Sequence, residues 1–323
     1  MPTLLSIEAL EADRQYVERQ LSEVTNDPWG TARIMWETRL AELRQQIAER
    51  AENPSALASV AVLFDGNPVI GSGDIRLDFA ADALDSYQKL ITIALASGSD
   101  PNLPARGPIP GAEQSRLFIR DVVHGSMGFI LEEVAPEQHE LLPTALKAAV
   151  ESTTQFLNRL SSASDEEFNS ILAEAQSRLV SSVQRFAKVI YQAGASTRIL
   201  GDEQRLALSI DDVGRLSRRL SEVEITEEMI PVDGVLLGIL PESREFELKP
   251  PGDDAVTIKG RISEDLALKY TVDAAFKERL LLKPVRAQIK LTQTKRNGRI
   301  VRENRVLEAL EPSGPTEGSG MGI

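Results

Sequence analysis

Asp233 precedes the triplet Glu247–Leu248–Lys249 by about one β-hairpin. Two carboxylates and a lysine in that order can hold a divalent metal through hard oxygens, while the ammonium steadies an attacking water or developing negative charge. The spacing of two puts Glu247 and Lys249 on one face of a strand, as that chemistry needs, and turns Phe246 and Leu248 towards a core. Any amphipathic strand offers the same spacing, so the solvent face of an ordinary hairpin is the competing expectation, and the stronger one.

This short stretch resembles the site motif of metal-dependent nucleases, although such nucleases usually place a helix after the lysine. Here "PPGDDAVTIKGRI" is a turn and another strand, so the resemblance covers one motif and not a domain. The other chemistries are sparse. The chain has two histidines and no cysteine, which removes disulfides, thiolate nucleophiles and Cys-ligated metals. His124, in "DVVHGSMG", is the better-placed histidine, with Asp121 and Ser126 near it in sequence. A Ser–His–Asp set needs convergence in space, which a single hairpin supplies poorly; a turn histidine bonded to its own backbone is expected instead. His139 falls among glutamates and is expected to be solvated. "GSGD" at 71–74 lacks the Lys-Ser/Thr of a phosphate-binding loop. Glu132 and Glu133 are adjacent on a strand and face opposite ways. Asp211–Asp212 opens a helix, where carboxylates cap free N–H groups. No metal site and no cofactor are expected.

The elements that must position these residues can be read from periodicity. Residues 6–24 and 31–51 read as two helices joined by the helix-breaking "TNDPWG". Ile7, Leu10, Val17 and Leu21 mark one face of the first, and Trp36, Leu40, Leu43 and Ile47 one face of the second. So narrow an apolar stripe is the pattern of a coiled-coil seam, and these eight residues are the expected oligomerisation surface. Residues 57–96 read as a hairpin followed by a helix, and "ASTRILG…RLALSI…DDVGRLSRRLSEV" repeats that order, which raises an internal duplication. "SRLFIRDVV" and "FILEEV" read as a second hairpin, and helices are expected over 137–161 and 165–193. From 231 onwards the chain reads as five short strands at 234–240, 244–249, 255–262, 282–294 and 299–310, interrupted by a helix near 264–278. That order predicts a small barrel of the OB type, with Asn297–Gly298 as a hairpin turn.

The expected fold class is therefore α+β: an N-terminal helical hairpin (1–52), an acidic central ββα-type region with long helices (53–230), a C-terminal small OB-like β-barrel (231–311) and a disordered tail (312–323).

The 323 residues carry 49 acids and 36 bases, a net charge of −13. That balance disfavours non-specific binding to nucleic acid or anionic lipid by the chain as a whole. No stretch approaches the roughly 18 apolar residues that span a membrane, and the acidic start is no signal peptide; a cytoplasmic protein is expected. The charge is uneven. Residues 277–305 hold ten Lys/Arg against two Glu. Arg286, Lys290, Lys295, Arg296, Arg299, Arg302 and Arg305 are thus candidates for a polyanion- or partner-binding surface. A two-residue turn at Asn297–Gly298 would put Lys290 opposite Arg305, a destabilising pair that calls for an anion nearby. No aromatic residue is interleaved to stack bases. The leading expectation is a non-enzymatic, homo-oligomeric interaction or scaffold protein assembled through its N-terminal helices and charge-complementary surfaces. The alternatives are a nucleic-acid-binding subunit of a bacterial, defence-type complex using the basic hairpin, and a metal-dependent nuclease at Asp233, Glu247 and Lys249.

Overall fold

The computed structural model describes residues 7–23, 30–52, 56–71, 73–100, 103, 107–123, 127–134, 142–252 and 254–313. These form two compact units. The first comprises the chain up to Ile171 together with Arg178–Glu222; the second comprises Leu172–Ser177 and the chain from Val223.

The first unit is built on an antiparallel sheet. Its strands are β1 (Ser59–Gly66), β4 (Leu117–Val123), β5 (Gly128–Glu133), β6 (Ala195–Leu200) and β7 (Arg205–Leu208), in the order β4-β5-β1-β6-β7. Two further strands, β2 (Val69–Ile70) and β3 (Asp74–Ile75), pair only with each other. Ser59 to Phe64 are all buried, the mark of a central strand covered on both faces. On one face lie α1 (Ile7–Glu23) and α2 (Thr31–Glu52), whose Leu10, Val17, Leu40 and Leu43 pack with Ala61, Leu63, Val123 and Ile130 of the sheet. Tyr16 meets Trp36 edge-on at 6.3 Å, and Arg39 reaches Asp13 at 2.8 Å. The other helices are α3 (Leu77–Ser99), α4 (Ala145–Ser162), α5 (Asp165–Glu174), α6 (Ser177–Gln192) and α7 (Ile210–Ser221), of which α5 belongs to this unit only as far as Ile171 and α6 from Arg178. Phe64 packs edge-on against Phe79 of α3 at 5.1 Å, and Tyr87 of α3 against Phe186 of α6 at 5.9 Å.

Three expectations are corrected in this unit. The apolar stripe of the N-terminal helices is not a coiled-coil seam, because the sheet consumes it: Leu10, Val17, Leu40 and Leu43 are buried against strands of the same chain. The two ββα stretches are not equivalent either. β1 pairs with β5 and β6 and not with the strand after it, whereas β6 and β7 pair directly. The expected helix over 165–193 is broken between Glu174 and Ser177.

The second unit contains β8 (Val223–Leu240), β9 (Glu245–Lys249), β10 (Ile258–Ile262), α8 (Glu264–Val272), α9 (Ala274–Leu280), β11 (Pro284–Arg296) and β12 (Arg299–Pro312). β8 and β11 pair without interruption from Val223 opposite Arg296 to Val235 opposite Pro284, and β12 continues on the far side of β11. The expected small OB-like barrel over 231–311 is corrected here. The sheet is a long three-stranded ribbon that starts at Val223. At one end the strands pair around in the order β10-β12-β11-β8-β9 with β9 back against β10, and β10 meets β12 across two residue pairs, Arg261 with Val306 and Ile262 with Leu307. Eighteen residues of β8 are too many for a small barrel, so most of the strand lies beyond the curled end. That end holds the core, formed by Leu236, Phe246, Leu248, Val285, Ile289 and Leu307 with Leu266 and Phe276 of the helices. The turn at Asn297–Gly298 has φ of +49° and +76°, the paired positive angles of a tight hairpin turn.

Candidate functional site

The acid–acid–lysine set is dispersed by the fold. Asp233 stands opposite Arg286 across β8 and β11, and its two carboxylate oxygens accept from the guanidinium at 2.9 and 3.1 Å. Those hydrogen bonds hold the Asp233 carboxyl below the usual carboxylate value. Glu247 accepts from Lys259 of β10 at 2.6 Å, which in turn raises the Lys259 ammonium. Glu247 lies opposite Gly238, five residues along β8 from Asp233 with a bulge at Leu237 between them, a separation of about 13 Å at strand rise. One ion cannot take oxygens from both, since coordination distances are about 2.0–2.6 Å. Among the described residues there is no group of three or more His, Asp or Glu that could hold a metal. Lys249 instead borders a groove of about 800 Å3 with Asp233, Arg286, Glu311 and the rings of Pro250 and Pro312. His124 and His139 lie outside the described residues.

The basic hairpin is largely engaged within its own unit. Arg286 is held by Asp233, Lys290 by Glu308, and Arg305 by Glu303. Arg302 donates to the carbonyl oxygens of Ala173 (3.3 Å), Ala175 (2.7 Å) and Glu174, in the segment that groups with this unit. Burial there lowers the Arg302 guanidinium. Lys295 lies opposite Glu224 of β8, and Arg296 and Arg299 face each other beside the turn. The expected clash of Lys290 with Arg305 does not occur. A bulge at Val301 shifts the register, so that Lys290 faces Val306 and Arg305 faces Leu291. The anion nearest this hairpin is therefore β8, with Glu224, Glu227, Glu228 and Asp233 along it.

The first unit places its own polar residues in structural tasks. Glu133 accepts from the N–H of Ala58 (2.9 Å) and the hydroxyl of Thr144 (2.6 Å), while Thr144 caps α4 by accepting from the N–H of Lys147. Asp212 and Ser209 form a reciprocal capping box at the start of α7. Glu151 of α4 accepts the backbone N–H groups of Asp202 (2.9 Å), Glu203 (3.3 Å) and Gln204 (2.8 Å), and Lys147 pairs with Asp202 at 2.8 Å beside it. Leu21, Trp36 and Ile47 pack partly buried around the helix–sheet core, and the side chain of Ile7 lies outside the described residues.

One surface escaped the sequence reading. β4 is the outermost strand of its sheet, and it exposes two large apolar residues in succession, Phe118 (47%) and Ile119 (57%), with Val134 (48%) just past the end of neighbouring β5. Its start is fixed by Gln88 of α3, which accepts from the N–H of Leu117 at 3.0 Å and donates to the carbonyl of Ser115 at 2.7 Å. Midway, Arg120 has no opposite residue on β5, because Ile119 faces Leu131 and Asp121 faces Ile130. The Arg120 side chain reaches Glu132 at 3.4 Å, and Asp121 accepts from the N–H of Val122 at 2.8 Å. A strand with the pattern "LFIRDVV" reads as half-buried; only its place at the sheet edge makes Phe118 and Ile119 an exposed pair. No helix among the described residues is long and apolar enough to cross a membrane. No protein-family model matches the chain, and no curated protein or solved structure matches it significantly.

Proposed function

We propose that this protein is a non-catalytic interaction component that docks a protein partner along β4. The observation that carries this reading is the succession Phe118–Ile119, exposed on the outer strand of a sheet. An edge strand presents unpaired N–H and C=O groups, and proteins normally blunt such edges with charge, proline, a bulge or cover; β4 has a bulge and two charges at Arg120–Asp121, yet leaves the apolar pair before them exposed. Two adjacent large apolar side chains favour strand addition, in which backbone hydrogen bonds supply affinity and side chains supply selectivity. Gln88 holds the start of β4 in place, so little ordering cost attends docking. The seam of the N-terminal helices is already used against the sheet, so the surface offered for assembly moves from those helices to β4.

The test is a photo-crosslinking amino acid at position 119, introduced into the full chain in the cells that make it, with position 282 as an exposed apolar control. A discrete protein adduct from 119 and none from 282 is expected. Equal labelling from both, or none from 119, overturns the reading.

A further inference from the structure

We infer that the partner on β4 is β4 of a second copy, paired antiparallel about a two-fold axis between Arg120 and Asp121. This rests on the reading of β4 as the docking edge, and the facing of its side chains carries it further. Side chains alternate along β5, so Glu132, Ile130 and Gly128 point to one face and Leu131 and Phe129 to the other. Phe118, Asp121 and Val123 sit opposite the first set, and Ile119 and Val122 opposite the second. Arg120 reaches Glu132, which places it on the first face as well.

A two-fold axis perpendicular to a sheet keeps each side chain on its own face, and residues opposite one another in a ladder must share a face. In a regular strand that condition forces some residue to face its own copy. Centred on Arg120, such a pairing would set arginine against arginine. The bulge lifts the constraint. With Arg120 and Asp121 both on the first face, the facing pattern becomes palindromic about their midpoint. Phe118 then meets Val123 of the second copy, which its own helix–sheet core already buries, Ile119 meets Val122, and Arg120 meets Asp121, each with its face matched. The result is two opposite-charge pairs at the centre flanked by apolar pairs, the cross-strand combinations that stabilise an antiparallel ladder. The exposed Ile119 gains an apolar neighbour, and the central charges select antiparallel self-pairing. A six-residue strand pair is smaller than a standard interface of about 1,600 Å2. The dimer is therefore reversible, and its charged centre weakens with salt.

The chain has no cysteine, so an introduced thiol reports alone. Ile119→Cys and Val122→Cys are made as separate full-length proteins and oxidised mildly, singly and mixed. The mixture is expected to give a covalent dimer at twice 35.4 kDa. Each alone is expected to stay single, because like positions lie three residues apart along the ladder, about 10 Å and beyond disulfide reach. Sedimentation of the unmodified chain is expected to show a dimer that dissociates on dilution and in high salt. A dimer from Ile119→Cys alone overturns the register. A chain that sediments as a monomer at every concentration, with no crosslink in the mixture, overturns the second copy as partner. In that case a position-119 photo-adduct of another mass leaves the docking edge standing, and loss of the adduct removes both.

Discussion

Leu43→Ala tests whether the N-terminal helical hairpin is part of the first unit's core. Leu43 is fully buried, 0% exposed, among Leu10, Leu40, Ala61, Leu63, Val123 and Ile130. Truncating a leucine in such a site loses both its transfer free energy and the contacts around the void, about 3–5 kcal/mol where neighbours cannot collapse. With a urea dependence of roughly 2–3 kcal/mol per molar, the midpoint of the unit's transition should fall by about 1–2 M. The assay is made specific in a Trp29→Phe background, where Trp36 is the single tryptophan left and packs around this core. Its fluorescence follows this unit, while far-ultraviolet circular dichroism follows both. The two traces should separate in the variant, with fluorescence shifted to lower urea. An unchanged fluorescence midpoint together with a lower oligomeric mass would refute the packing argument, since that is what an independent coiled-coil seam would do.

Three further outcomes follow from single contacts. Gly128→Ala should destabilise the first unit by about 1–3 kcal/mol or more, because a Cβ there would come within 2.6 Å of the Val62 carbonyl oxygen and 2.7 Å of the Leu63 Cα; an unchanged melting temperature would contradict the close β1–β5 approach. Burial lifts the Glu151 carboxyl above its ordinary 4.5 despite its three backbone donors, and Asp202 adds to the rise. A raised folded-state value means that this group's contribution is complete below about 4.5 and is lost as pH rises through the folded value. The stability of the wild type relative to Glu151→Gln should therefore decline over that window, and parallel pH profiles would reject the assignment. Asp233 has the opposite sign: the Arg286 hydrogen bonds hold it below 3.8, so its contribution is present above 3.8 and lost as pH falls through the folded value. Arg286→Gln should return its carboxyl resonance to an ordinary titration, and an unmoved titration would show that the pair does not form.

The parts of the fold that were legible in the sequence depend on local chemistry. Asn297–Gly298 made its turn because those two residues accept positive φ, and Asp212 capped α7 because a carboxylate suits a helix start. The helices of the N-terminal hairpin followed from periodicity, but the surface covering their stripe did not. A narrow stripe is satisfied equally by a second helix pair or by a sheet formed later in the chain, and only tertiary pairing decides. The break after Glu174 was hidden because the apolar period continues through it. The separation of Asp233 from Glu247 was hidden for a related reason. Face and spacing were read correctly within β9, yet the distance from Glu247 to Asp233 is set by the register of β8 against β9, and the hairpin joining them gives no sign that they stand five residues apart.

Bulges explain most of the remaining gap, and they act in both units. One extra residue at Val301 turns an expected Lys290–Arg305 repulsion into separate pairings, and Lys290 takes Glu308, itself the extra residue at a second register shift. Arg286, Lys290, Arg302 and Arg305 are thus engaged within their own unit. One extra residue at Arg120 does the converse in β4. It reverses the alternation of side chains in mid-strand, and it places an arginine and an aspartate side by side on one face of an open edge. In neither strand does the residue type announce the bulge, because Val301 and Arg120 are ordinary strand residues. Composition located the charge, whereas register decided whether that charge was paired internally or left at an open edge. For this chain the binding surface is better sought where the ladder is interrupted at an edge than where bases are most numerous.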